Sequence, residues 1–278
     1  MSGGLNSVHG FLSNPVSFGA NLSSYYGGTT LTAPTANNTK GAWLQVGSNT
    51  TYDTTDVLLS IYMISQGGTE TSFAIDMGYG PSGSQQVVIG NLNFNFAYSG
   101  SYNAIDGLQL FLPLQIPANN AVWFRYAADS AAPTSALQVS FITYDSSFQD
   151  RASVQKFDTI GTTATGRGNS VNLPVGGVKG SNVLIGTANN NYNGFFIKTD
   201  LSGYTSDLGA VDLDISIGNS TVQTIIYNDL YLYVTSYNTG TSPYFSCFIP
   251  QGTNIYVRGT VDGVGTAANC GITFYGGY

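Results

Sequence analysis

Apolar and polar residues alternate with a period of two through most of this chain. Leu92, Phe94 and Phe96 are separated by Asn93 and Asn95, and Leu230, Leu232 and Val234 by Tyr231 and Tyr233. Ile255-Tyr256-Val257-Arg258 continues in the same way. Successive side chains of a strand point to opposite faces, so the pattern predicts half-buried β-strands. Turn residues interrupt it at short intervals: Gln66-Gly67-Gly68, Gly80-Pro81-Ser82-Gly83, Asp106-Gly107, Asn238-Thr239-Gly240 and Asp262-Gly263. No long run has its apolar residues at helical spacing. Many short strands joined by glycine-rich turns specify a β-sandwich or jelly roll.

The strand pattern occurs twice. Ile116-Pro117 is followed eight residues after the proline by Arg125, and Ile249-Pro250 at the same interval by Arg258. Lys40-Gly41 matches Lys179-Gly180, and Phe141-Ile142-Thr143-Tyr144 matches Ile272-Thr273-Phe274-Tyr275. Leu92, Phe94 and Phe96 fall on Leu230, Leu232 and Val234, and Ala74-Ile75-Asp76-Met77-Gly78 aligns with Asp214-Ile215-Ser216-Ile217-Gly218. The offset drifts from 139 or 140 down to 131, as when turns differ in length while strands persist. The fold expected is all-β, with two tandem jelly-roll-like β-sandwich domains and an irregular N-terminal arm. The arm spans 1–39, the first sandwich 40–145, a linker 146–178 and the second sandwich 179–278. Pro117 and Pro250 are expected to begin strands, where a missing N–H does no harm.

Composition adds a second expectation. Only 8% of the residues are charged, against about 25% in an average globular protein. Lys and Arg together number 8, Glu70 is the only glutamate, and Gly (35), Tyr (19) and Phe (15) are abundant. The surface must therefore be Ser, Thr, Asn, Gln, Gly and Tyr, which resists association less than a charged one. A chain packed against many neighbours fits this composition, as does a secreted β protein with a neutral surface. With a net charge of -7 and no basic cluster, direct nucleic-acid binding is not expected, because that requires neutralising phosphates. An anionic membrane would repel the chain, and no apolar run reaches the roughly 20 residues of a membrane helix. Met1 to Gly10 shows no secretory signal.

Groups able to do chemistry are scarce. His9 is the single histidine, so the modules cannot build a Ser-His-Asp or Cys-His arrangement. His9, Cys247 and Cys270 are too few and scattered for zinc, and the two cysteines read as buried free thiols rather than a disulfide. Asp212 and Asp214 share a strand face, where exposed aspartates or a calcium site are the alternatives. No enzyme activity, cofactor or metal is expected. Tyr231 and Tyr233 alternate with core leucines and should point outward, able either to stack on sugars or to form a protein interface. Arg125 and Arg258 sit at equivalent positions, either bonded within their own module or reaching a carboxylate or carbonyl of another subunit. Pro117, Arg125, Pro250 and Arg258 are thus the repeat-equivalent structural or interface residues.

The segments Thr39-Lys40-Gly41-Ala42-Trp43-Leu44-Gln45-Val46, Ile75-Asp76-Met77-Gly78-Tyr79-Gly80 and Leu112-Pro113-Leu114-Gln115-Ile116-Pro117 resemble a β module of structural proteins in tailed-bacteriophage virions. That family has a Lys-Gly-aromatic start, an Ile-Gly-x-Gly middle and an Ile-Pro-Ala-Gly-Thr-x-Ile-x-x-Arg end. The first copy keeps Ile116, Pro117, Ala118 and Arg125 but carries Asn119 and Asn120 in place of Gly and Thr. The second keeps Ile249, Pro250, Gly252, Thr253, Ile255 and Arg258, with Asn182 in place of the aromatic. The resemblance implies a virion location, other virion proteins as partners, and a homo-oligomer, trimer first. Head decoration, neck, baseplate and fibre all remain open. A carbohydrate-binding adhesin or receptor-binding protein, contacting a host surface glycan through exposed Tyr and Trp, is the alternative.

Overall fold

A computed structural model describes residues 13–19, 28–32, 34–65, 71–96, 107–129, 135–145, 154–161, 168–200, 210–233, 240–261 and 268–278. All regular structure among them is strand, and none of it is a helix able to cross a membrane. The first half of the chain contains β1 (Ser13–Phe18), β2 (Thr29–Thr30), β3 (Leu44–Gln45), β4 (Asp56–Ser65), β5 (Thr71–Tyr79), β6 (Gln86–Phe96), β7 (Gly107–Leu112), β8 (Val122–Ala128) and β9 (Ser135–Asp145). The second contains β10 (Phe157–Ile160), β11 (Asn169–Leu173), β12 (Val183–Thr187), β13 (Tyr192–Asp200), β14 (Ala210–Gly218), β15 (Gln223–Tyr233), β16 (Gly240–Thr241), β17 (Phe245–Ile249), β18 (Asn254–Val261) and β19 (Ala268–Gly277).

Strand order identifies both halves as jelly rolls. In the first, β1-β9-β4-β7 faces β3-β8-β5-β6; in the second, β11-β19-β13-β17 faces β12-β18-β14-β15. With β2 and β16 set aside as short additions and β10 as the strand between the halves, each half reads first-eighth-third-sixth against second-seventh-fourth-fifth, the two interlocked Greek keys of a jelly roll. The alternating residues do what their period predicts. Leu92 and Phe94, and in the second copy Leu230 and Leu232, are buried. One core is filled by Phe73, Phe94, Phe124 and Phe141 among others, the second by Phe195, Phe274, Ile215 and Val257.

Four strands come from segments placed outside the modules by the repeat. β1 and β2 pair with β9 from within residues 1–39, and β10 and β11 pair with β19 from within residues 146–178. Phe18 is buried and stacks on Phe141 with ring centres 4.8 Å apart, and Leu31 is also buried. The so-called arm and linker thus each supply a first strand. Neither carries a clear alternation: β1 offers only Val16 and Phe18 around Pro15, and β11 only Val171 and Leu173.

The halves are fused through β10. It runs parallel to β6 at Phe157↔Ile89 and antiparallel to β19, splicing one sheet from each jelly roll into a ten-stranded sheet. Phe157, Phe196 and Tyr275 extend the first core, with Phe196 and Tyr275 stacked at 4.5 Å. The Tyr275 hydroxyl accepts from the Asn93 amide (2.8 Å) and donates to the Asn91 carbonyl (3.0 Å). It therefore satisfies two backbone groups on the outer edge of β6.

Candidate functional site

The scarce charges converge on two equivalent clusters. In the first jelly roll, Asp76 on β5 lies directly opposite Arg125 on β8. Arg125 Nε donates to one carboxylate oxygen (2.8 Å), while Lys40 Nζ (2.8 Å) and the Asn91 amide (2.9 Å) donate to the other. In the second, Asp214 on β14 lies opposite Arg258 on β18. Arg258 Nε (2.9 Å), Lys179 Nζ and the Asp229 amide (3.1 Å) converge on it in the same way. Asn91 and Asp229 both have positive φ, 52° and 55°, at bulges where β6 and β15 slip against their neighbours. Asn and Asp tolerate this left-handed conformation better than most residues. Each aspartate thus ties three segments together: the lysine before the second strand, the bulge of the fifth and the arginine of the seventh.

The true repeat partner of Asp76 is therefore Asp214, not Ser216, which corrects the sequence alignment by two residues. The spacing from lysine to aspartate carried the signal, 36 residues in one copy and 35 in the other. Arg125 and Arg258 both bond within their own jelly roll. Pro117 and Pro250 do not begin strands; each is the first residue of a tight turn leading into β8 or β18. The third residue of that turn, Asn119 or Gly252, has φ of 62° or 81°, which explains asparagine as a substitute for glycine there.

The clusters differ in balance. One carboxylate meets two cations in the first, whereas Asp212, Asp214 and Asp229 meet Lys179 and Arg258 in the second. Burial pushes the Lys40 pKa below its ordinary value despite Asp76, with Arg125 adding repulsion. Burial also disfavours charge on Lys179, but its hydrogen bonds to Asp214, Asp229 and Asp212 outweigh this and raise its pKa. At Asp214, burial opposes ionisation, yet Lys179, the Asp229 amide and Arg258 hold the carboxyl below its ordinary value. The three acids have ligand atoms within 4.8 Å of one another. Lys179 Nζ already sits among them, 3.0 Å from Asp212 and 2.5 Å from Asp229. A metal ion would have to displace this ammonium, so the donor set fits an internal counter-ion better than a cation site.

Trp43 lies over the Arg125 guanidinium, 4.4 Å from ring centre to Cζ. Asn182 takes that place in the second copy and bonds Gln223. A depression of about 460 Å³ opens there, lined by Asn182, Ser216, Gln223, Ile225 and Arg258. Trp123 donates from Nε1 to the Gly80 carbonyl (2.8 Å). Both tryptophans are thus engaged internally, while Tyr231 projects outward. The Tyr233 side chain and His9 lie outside the described residues. Cys247 and Cys270 are free thiols, and burial pushes the Cys270 pKa up.

A third feature escaped the sequence. Lys198 on β13 is buried between the jelly rolls, 5.2 Å from the centre of the Phe94 ring, with no hydrogen-bond partner for Nζ. Burial lowers its pKa to about 7, partly offset by Asp200.

No family model matches the sequence, and no curated protein matches it. Among solved structures, the chain is similar to the STIV MCP, with 10% identity, a TM-score of 0.42 and coverage of 96% of this chain and 97% of that one. It is also similar to PNGF-II, with 7% identity, a TM-score of 0.40 and coverage of 84% and 59%. A third similarity is to the CBM22-1-CBM22-2 tandem domain of Paenibacillus barcinonensis Xyn10C, with 10% identity, a TM-score of 0.26 and coverage of 94% and 97%. At these values the similarities do not discriminate among the functions of those proteins.

Proposed function

We propose that this chain is a structural, non-enzymatic protein of a virion, a tailed phage being the reading its sequence resemblance supports. It would form a homo-oligomer, trimer first, in contact with other virion proteins. The observation that carries this reading is where the cations go. Lys40, Arg125, Lys179 and Arg258 are used in internal ion clusters and Lys198 is buried, so of the described Lys and Arg residues only Lys156 stands exposed without such a role. The outer surface is left largely to Ser, Thr, Asn, Gly and Tyr, which resist the packing of copies less than a charged surface does. Pro117, Arg125, Pro250 and Arg258 act structurally, shaping a turn and anchoring a bulge in each jelly roll.

The runner-up is a glycan-binding adhesin. Tyr231, which is exposed, favours it, whereas Trp43 and Trp123 are committed to internal contacts. Quantitative mass spectrometry of gradient-purified particles tests the first reading: many copies per particle are expected, and absence from the particles contradicts it. A glycan array tests the second. Binding that disappears on Tyr231→Ala would favour the adhesin.

A further inference from the structure

We propose that this chain self-assembles through a heterologous contact that repeats, between copies, the contact its two jelly rolls make within one copy. The proposal rests on the assembly reading above and names the surfaces involved. Within the chain, the outer edge of β6 is covered by β10 and by the outward face of β13 and β19, from which Phe196, Lys198 and Tyr275 project. Duplication supplies a second β6-like edge and a second face like that of β13 and β19, while β10 has no counterpart among the described residues. The counterpart of β6 is β15, because Leu92 opposes Ile75 as Leu230 opposes Leu213. The counterpart of the covering face is the outward face of β4 and β9, with β7 beside it.

Among the described residues both counterparts are at least partly exposed, although Phe111 also lines, with Thr241, Pro243 and Tyr244 of the second jelly roll, a cavity of about 340 Å³ within the chain. Among the described residues β15 pairs with β14 alone, so its outer row of backbone groups has no strand partner. Asn93 on β6 is 8% exposed, whereas Tyr231 at the matching position of β15 is 66% exposed. Ile225 is 45% exposed on the same strand. An uncovered edge strand with apolar side chains is an association site unless something blocks it. On the other surface, register places Phe111, Leu58 and Ile142 in one outward row across β7, β4 and β9. Phe111 is 36% exposed and packs against Tyr144.

The occupant is a second copy, because the chain itself already displays the mating of these two kinds of surface. A contact pairing β15 with β15 would leave the row of Phe111, Leu58 and Ile142 uncovered. A head-to-tail contact covers both surfaces and generates a ring if the rotation closes, or a filament if it does not.

Two variants test this. Ile225→Lys places a charge beside the β15 edge, and Phe111→Lys places one on the opposite surface. Sedimentation velocity at micromolar concentration should give an oligomer for the wild type and a monomer for each variant, with melting temperatures close to wild type. Mixing the variants in equal amounts should give a dimer, since one copy keeps an intact edge and the other an intact face. Should Phe111→Lys fail to fold, Gln109→Arg on the same surface takes its place. A variant that assembles like the wild type, or a mixture that remains monomeric, overturns the proposed contact and leaves the assembly reading standing. A monomeric wild type overturns both.

Discussion

Asp76 and Asp214 each hold three donors from segments far apart in sequence. Removing one partner of a buried charged cluster strands the others, at a cost of about 3–5 kcal/mol. Asp76→Ala should therefore destabilise the first jelly roll by about that amount, read as a lower denaturation midpoint, and Asp214→Ala should cost the second less, because Lys179 keeps Asp212 and Asp229. The carboxyl of Asp214 titrates below its unfolded value, so its stabilisation is present above the unfolded pKa of about 3.9 and is lost as pH falls through the folded pKa. Wild-type stability should fall below about pH 4, and Asp214→Asn should lack that part of the fall. Lys198 behaves in the opposite sense. Its folded pKa of about 7 lies below its unfolded value, so the folded state binds fewer protons and stability should rise between the two pKa values. Lys198→Met should stabilise the chain at neutral pH by roughly 2 kcal/mol and flatten the pH dependence above pH 7. Unchanged stability of Lys198→Met would show that the burial of the amine carries no penalty.

The strands with strict alternation, β6, β15 and β18, were legible from sequence, as was the duplication. What the sequence hid followed from weak or displaced signals. β1 and β11 carry two apolar residues each in described positions and owe their pairing to the long partners β9 and β19, so tertiary context decides them. The bulges at Asn91 and Asp229 shift the register and concealed the equivalence of Asp76 with Asp214. Lys198 reads as an outward polar residue, and only the neighbouring jelly roll buries it. These corrections change the expected result of truncation. With the first sandwich starting at residue 40, removing residues 1–39 would leave it folded; the structure places β1, Phe18 and Leu31 in it. Phe18→Ala alone should cost about 3–5 kcal/mol, and a chain lacking residues 1–39 should show an early unfolding transition by circular dichroism. A truncated chain as stable as the full one would mean that β1 contributes no core.

At the scale of the whole molecule, the ten-stranded sheet couples the two jelly rolls. Tyr275→Phe removes the hydroxyl that pairs with two backbone groups of β6, and each buried group left unsatisfied costs about 1–3 kcal/mol. Calorimetry should find one cooperative transition in the wild type and a lower melting temperature in Tyr275→Phe. Two separate transitions in the wild type would mean that the junction does not couple the halves. Holding most of its cations inside, the molecule has little charge with which to form salt-dependent contacts. Assembly should rest on apolar and neutral hydrogen-bonding surface, and the net charge of -7 should oppose it weakly. The most direct test is the mass of the purified full-length protein by sedimentation equilibrium as salt rises from about 0.01 M to about 1 M, where the screening length falls from roughly 30 Å to 3 Å. A homo-oligomer whose mass stays constant or grows with salt is predicted. A monomer throughout, or an oligomer that dissociates as salt rises, would contradict the account.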